Sequence, residues 1–349
     1  MPRGGAHFSS EELVRVLSHY DIGVVHKAKP LSGGNRRVPK MVFVSEKGKF
    51  FLKRRGRGKD DLCRVAFAHA VQSHLADNGY AATSLVATRD EKNTILQINH
   101  HIYELFEFVS GIRYNGSVEA TVDTGRQLAK FHQQLAGFAH AWKPLRASFH
   151  DSSTVRRHLK TLGSDRMAGP EKDMQATAEA LMSIYNSSST QVNQCGFDSW
   201  GEQVVHGDWH PGNMLFADDK IVAVLDFDSI RIAPPMTDLA NGMLQFSIVG
   251  GRPNPAEWPD YFDKDKLVGV LAGYREVVSL DENKSDSLPD LMLETMIAEA
   301  VLPIVATGFF GNLSGLDFLK MIVRKARWLE KNRKELAERI REQIGISTD

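Results

Sequence analysis

The chain has 349 residues, 42% apolar and 25% charged, a globular balance with room for two lobes, and its 43 Lys and Arg against 43 Asp and Glu leave no net charge. Without a basic excess the sequence does not read as a nucleic-acid binder, and two cysteines in no metal spacing, Cys63 and Cys195, exclude a disulfide scaffold and read as buried thiols. Residues 1–10 lack the apolar core of a signal peptide and no run approaches 18 apolar residues, so the expectation is a cytoplasmic protein that spans no membrane.

Ser9-Ser10-Glu11-Glu12 reads as a helix start, with Glu12 three residues after Ser9 and Leu13, Val16 and Leu17 following in helical phase. That helix should end at 20–23. A glycine turn, Ser32-Gly33-Gly34-Asn35, leads toward a strand over 40–44, and a Gly-containing turn joins it to a second over 49–53. Val65, Ala68, His69, Gln72 and Leu75 set a helical period over 62–77, and further strands are expected over 94–98 and 101–106. From Ser117 the pattern turns helical, over 122–135, 172–185, 239–249, 266–278, 291–302 and 316–344, with Pro303 expected to end or kink the fifth of these. Residues 167–171 and 186–190 read as loops. The shift near Val109-Ser110-Gly111 divides a small β-rich lobe, 1–108, from a larger helical lobe, 109–349.

The chemistry concentrates in His206-Gly207-Asp208-Trp209-His210-Pro211-Gly212-Asn213 and, at the end of the next apolar run, Asp226-Phe227-Asp228. Phosphoryl transfer needs a carboxylate at the attacking hydroxyl and oxygen ligands that hold Mg²⁺ against the phosphates. An Asp followed five residues later by Asn, with another Asp ending the next hairpin strand, is the spacing protein kinases use for those tasks.

These motifs resemble the aminoglycoside phosphotransferase and choline kinase superfamily, which includes type II homoserine kinases and spore-coat kinase-like proteins. The resemblance is sharp over 204–240 and holds in outline along most of the chain. It implies an α+β, bilobal, protein-kinase-like fold and an ATP- and Mg²⁺-dependent kinase acting on the hydroxyl of a small molecule. Asp208 would be the catalytic base, or the group that orients the acceptor hydroxyl. Asn213 and Asp226 would bind Mg²⁺, with Asp228 assisting a second metal. Asp238 would accept backbone hydrogen bonds from the catalytic loop. Lys53, at the end of its strand, would steady the nucleotide phosphates. Ser32, Gly33, Gly34 and Asn35 match the phosphate-covering turn, and the backbone of Phe106, Glu107 and Phe108 the adenine-facing hinge.

One departure stands out. The family places a Glu on the helix after the lysine strand, yet no Glu occurs between Lys53 and Asp90, and the expected place falls near Ala68 or His69. A kinase-like protein that binds ATP without turnover is therefore the alternative. The acceptor stays open among amino-alcohols, sugars and aminoglycosides, and the oligomeric state is not readable.

Overall fold

The computed structural model describes residues 7–31, 38–142, 144, 146–162 and 171–345. Ser32, Gly33, Gly34 and Asn35 therefore lie outside the described residues. The architecture is the α+β, kinase-like one expected: a five-stranded antiparallel sheet with few helices, and a mainly helical remainder. The chain divides into two compact units.

The first unit comprises Met1–Arg113, Gly137–Leu145 and Asn213–Ile230. Its elements are α1 (Ser10–Leu17), β1 (Val25–Pro30), β2 (Lys40–Ser45), β3 (Gly48–Arg54), α2 (Leu62–Asp77), β4 (Leu96–Ile98) and β5 (His101–Glu107), and the sheet order is β1-β2-β3-β5-β4. The start of α1 is a capping box: Glu12 N–H donates to Ser9 Oγ at 3.1 Å, and Ser9 N–H donates back to the Glu12 carboxylate at 3.3 Å. Gly48, at φ +135°, closes the β2–β3 hairpin where a side chain would be strained.

The two-residue period of a strand sorts β3 and β5 onto two faces. Phe50, Leu52 and Leu105 face the core with Val16 of α1 and Tyr20 just after it, and Arg54 and Tyr103 on that face both donate to Glu12 Oε1, at 2.6 and 2.7 Å. Lys53 and Glu104, one register pair along, take the other face. Met214–Ala217 and Lys220–Val224 form a hairpin in this unit, tied to it by reciprocal backbone bonds between Ile112 and Phe216 and by Val224 N–H donating to Ala81 O. Cys63 is exposed and Cys195 half-buried, against the expectation of two buried thiols. Cys63 is the second residue of α2, ahead of the buried positions that begin at Val65.

The second unit comprises Tyr114–Ala136, Arg146–Gly212 and Arg231–Asp349. It holds α3 (Val118–Gln134), α4 (Ser153–Thr161), α5 (Glu171–Gln194), α6 (Pro235–Ser247), α7 (Lys264–Arg275), α8 (Glu282–Asp286), α9 (Leu288–Thr307), α10 (Gly315–Lys331) and α11 (Arg333–Ile344). A short antiparallel pair, Gln203–Val205 with Arg231–Ala233, carries the segment that leads into the 206–213 loop. Helices α3 and α7 touch backbone to backbone. A Cβ on Gly125 would come within 1.8 Å of Val270 O, and one on Gly273 within 1.8 Å of Val122 O, so only glycine fits at either place.

Three helical expectations are corrected. Residues 186–190 are not a loop but the continuation of α5, because Ser189 and Thr190 hydroxyls donate to the carbonyls four residues back, at 2.9 Å each, and so serve the helix. Pro303 does not end α9, which runs one more turn to Gly308, with Thr307 Oγ1 donating to Pro303 O at 2.8 Å. The single helix expected over 316–344 is two, broken at Asn332, whose backbone and side-chain N–H groups both turn back onto Trp328 O. Among the described residues no helix is long and apolar enough to cross a membrane.

Candidate active site

In the second unit the 206–212 segment is held from beneath by a carboxylate. Asp238, near the start of α6 and fully buried, accepts from His206 N–H at 2.6 Å and Gly207 N–H at 2.8 Å, one bond to each oxygen, and its Oδ2 also lies 3.3 Å from His132 Nε2. His132 in turn meets Tyr274 Oη at 2.9 Å. Burial would raise the Asp238 carboxyl, but the His132 hydrogen bond and the charges of His132, His206 and Arg231 outweigh it and hold it below the ordinary value. Gly207 sits at φ +76°, which lets the chain turn sharply into Asp208.

Above this base Asp208 is open, its side chain 38% exposed, with His210 Nε2 3.5 Å away. His210 Nδ1 accepts from Gly212 N–H at 3.0 Å, and a Cβ on Gly212 would strike the imidazole at 2.6 Å. The loop thus has a fixed backbone and an accessible carboxylate. Glu299 of α9 belongs to the same neighbourhood. Asn241 and Gln245 of α6 donate to its two oxygens at 2.7 and 2.5 Å, and burial first, then the Asp208 charge, pushes its carboxyl up to about 7. Glu299 escaped sequence reading. Its one signal was a carboxylate within the apolar run 296–304.

The first unit holds the remaining candidates. Lys53 Nζ donates to Asp228 Oδ2 at 2.8 Å and to Asp226 Oδ1 at 3.3 Å. Burial would lower its ammonium, but Asp228 and Asp226 outweigh that and hold it above the ordinary lysine value. Asp228, 5% exposed, also takes Arg55 Nη2 on its other oxygen at 2.9 Å. Asp226, at φ +57° and 39% exposed, is the more open of the two carboxylates. Asn213 is placed next to them by its backbone, since its carbonyl accepts from Leu225 N–H at 2.8 Å.

Asn213, Asp226 and Asp228 present an amide and two carboxylates, the hard oxygen donors Mg²⁺ prefers. The pair Asp226 and Asp228 already attracts a cation, the Lys53 ammonium, so the donor set fits a divalent ion. Among the described residues no three His, Cys, Asp or Glu side chains cluster as a metal site of their own.

Phe106, Glu107 and Phe108 lie at the end of β5. Two of their N–H groups are already used, Glu107 N–H on Ser84 O at 3.0 Å and Phe108 N–H on Lys49 O at 2.9 Å. The place where a helix Glu was expected holds His69. Its Nε2 meets Glu104 Oε1 at 2.6 Å, and that same oxygen takes Arg55 Nη2 at 2.8 Å. Sequence reading gave Arg55 no role and placed Glu104 only within the strand expected over 101–106. The pairing of β3 with β5 is what brings them together.

The sequence matches the phosphotransferase enzyme family over residues 27–277. No curated protein matches it. Among solved structures, the fold is similar to a microcompartment-associated aminopropanol kinase (TM-score 0.67, 14% identity, covering 95% of this chain and 100% of that one). It is similar also to an aminoglycoside phosphotransferase from Alicyclobacillus acidocaldarius (0.65, 18%, 94% and 95%) and to an amicoumacin kinase in complex with AMP-PNP and Ca²⁺ (0.66, 14%, 95% and 94%).

Proposed function

The chain belongs to the phosphotransferase enzyme family, and from that premise we propose that it moves the γ-phosphate of ATP onto the hydroxyl of a small molecule that also carries an amine. The observation that carries this reading is the Asp208 loop, with its backbone locked by buried Asp238 and its carboxylate left accessible. Preorganisation of that kind is what a group needs to meet a reacting hydroxyl repeatedly in one geometry.

In this reading Asp208 orients the acceptor hydroxyl and takes its proton as the oxygen bonds to the γ-phosphorus. The bond from that phosphorus to the bridging oxygen breaks, and ADP leaves. Lys53 carries positive charge to the nucleotide phosphates. Asn213 and Asp226, with Asp228 beside them, would hold Mg²⁺, which when bound would supply charge neutralisation for the transferring group. Asp238 and Gly207 act earlier, by fixing the turn from which Asp208 projects.

The amine rests on Glu299. Two carboxylates in one neighbourhood, one of them held by two amides, favour a cationic acceptor over a neutral sugar. The aminopropanol kinase of similar fold is named for such an acceptor. Amino-alcohols and aminoglycosides are thus the classes to try first.

The test is ADP release from Mg·ATP across amino-alcohols, aminoglycosides and sugars, with Asp208→Asn beside the parent. Release that depends on an amine-bearing acceptor and disappears in the variant is expected. Tight ATP binding with no acceptor-stimulated release would instead support the alternative, a kinase-like protein that binds ATP without turnover.

A further inference from the structure

We propose that Glu104 is the carboxylate partner that positions Lys53 for the nucleotide, taking from strand β5 the task the resemblance assigns to a helix Glu. The inference rests on the phosphotransferase reading above and concerns how its nucleotide side is built.

Four observations carry it. First, Lys53 and Glu104 are direct partners in the β3–β5 register, so their side chains share a face with Cβ atoms about 5 Å apart. Second, Glu104 is buried to 1% exposure, where a carboxylate persists only if cations and donors surround it. Third, its two oxygens are not alike. Oε1 is saturated by Arg55 Nη2 and His69 Nε2, while Oε2 is buried with no hydrogen-bond partner among the described residues. A buried, unserved carboxylate oxygen is costly, and the one lysine set opposite it in the ladder is Lys53. Fourth, the helix position is occupied by His69, which braces Glu104 and does not compete with it. His69 Nδ1 is anchored by Thr94 Oγ1 at 2.8 Å, so the imidazole is held from both sides.

The electrostatics agree. Burial would raise the Glu104 carboxyl, but the His69 bond and the charges of Arg55 and Lys53 outweigh it and keep it below its ordinary value. In this structure the Lys53 ammonium rests on Asp228 and Asp226. Glu104 offers a second seat on the same face. Lys53 can take that seat when Asp226 and Asp228 are engaged elsewhere, and its charge stays at β3. Arg55 completes the arrangement by bridging Glu104 to Asp228, 2.8 and 2.9 Å from each, so the two seats are fixed relative to one another.

The experiment is ATP affinity by titration calorimetry, with and without Mg²⁺, together with KM for ATP and for the acceptor. It compares the parent with Glu104→Gln and with Glu104→Gln/His69→Glu, in which a carboxylate is returned to the helix. Glu104→Gln should weaken ATP binding and raise KM for ATP about tenfold, the scale of one charge-assisted contact, with KM for the acceptor within about twofold. The double variant should recover at least half of that loss on a logarithmic scale, which a merely structural glutamate would not allow. Equal ATP affinity in parent and Glu104→Gln overturns this inference alone, as does a loss shared equally by ATP and acceptor, or a double variant no tighter than Glu104→Gln. No ATP binding by the parent overturns the phosphotransferase reading and this inference with it. Should Glu104→Gln leave Arg55 stranded and fail to fold, Arg55→Met/Glu104→Gln removes both buried charges together, and parent-like ATP affinity in that variant overturns the inference equally.

Discussion

The Asp208 loop and the Lys53 cluster are built in opposite ways. The loop is eight consecutive residues whose backbone is fixed by one buried carboxylate, so its geometry follows from a short stretch of sequence plus Asp238. The cluster draws Lys53 from the end of β3 and Arg55 from just past it, His69 from α2, Glu104 from β5 and Asp226 and Asp228 from just past a hairpin, so its members lie up to 175 residues apart in the chain. In the loop a single anchor holds many atoms. In the cluster several charges hold one another, so a change at one is shared by the rest. Damage should therefore be local and severe in the first and graded in the second.

The largest effect tests the loop. Asp208→Asn keeps the size and most contacts of the side chain but removes the proton acceptor, so turnover should fall by about 10³-fold while ATP affinity stays within about twofold. Single-turnover kinetics with a responsive acceptor, set beside calorimetry, separates the two. Turnover near that of the parent would remove Asp208 from the chemistry.

Asp238 tests the anchor rather than the reacting group. Asp238→Ala leaves His206 N–H, Gly207 N–H and His132 without their acceptor in a fully buried place, at a cost of about 3 kcal/mol in urea unfolding. The pH signature is specific. A carboxyl lowered in the native state adds stability above its unfolded value of about 4, and that stability is lost as pH falls through the native value. Asp238→Asn should accordingly flatten the acid limb of a stability profile, and an unchanged limb would show that other groups carry it.

The cluster should respond by degrees. Lys53→Met should raise KM for ATP roughly thirtyfold, a charge-assisted contact's worth, and leave KM for the acceptor near the parent's. Arg55 and Lys40 remain to supply positive charge: Lys40 faces Lys53 across β2 and β3, and Arg55 lies two residues on, on the same face. A loss as steep as that of Asp208→Asn would break the contrast between the two regions.

The same contrast explains what could be read from the sequence. The loop, the Asp226–Asp228 strand end, the β2–β3 hairpin and α2 were all visible, because each is contiguous or set by a local period, whereas the role of Asp238, about 30 residues from the loop it holds, came only from the family resemblance. The ladder partner of Lys53 was not. Nothing in a sequence reports which residue of β5 stands opposite Lys53 until the register is known, and a search for Glu on the following helix looks in the wrong element. Glu299 was hidden for a related reason. It lies in a helix that is apolar on nearly all sides, where the pattern speaks of core and not of a charge held by Asn241 and Gln245. The polar run 186–190 misled in the other direction, since serines that bond to their own helix look like a loop in a list of residue types.

Glu299 gives the smallest effect and the sharpest view of the acceptor. Burial and then Asp208 push its carboxyl up to about 7 in the native state, against about 4.3 in an unfolded chain. An acid raised on folding holds its proton better when native, so the parent should lose stability as pH rises from about 4.3 through 7, with no further loss above that. Glu299→Gln has no such proton to lose, and its thermal midpoint relative to the parent should climb between pH 5 and pH 8. Activity should move the opposite way. As the carboxylate forms through pH 7 it becomes a better seat for an ammonium, so KM for an amine-bearing acceptor should fall a few-fold in the parent and stay level in Glu299→Gln. A hydroxyl acceptor without an amine should show no such limb in either protein. If it did, the charge at Glu299 would be acting on Asp208 and not on the acceptor, and the amine would have to be given up.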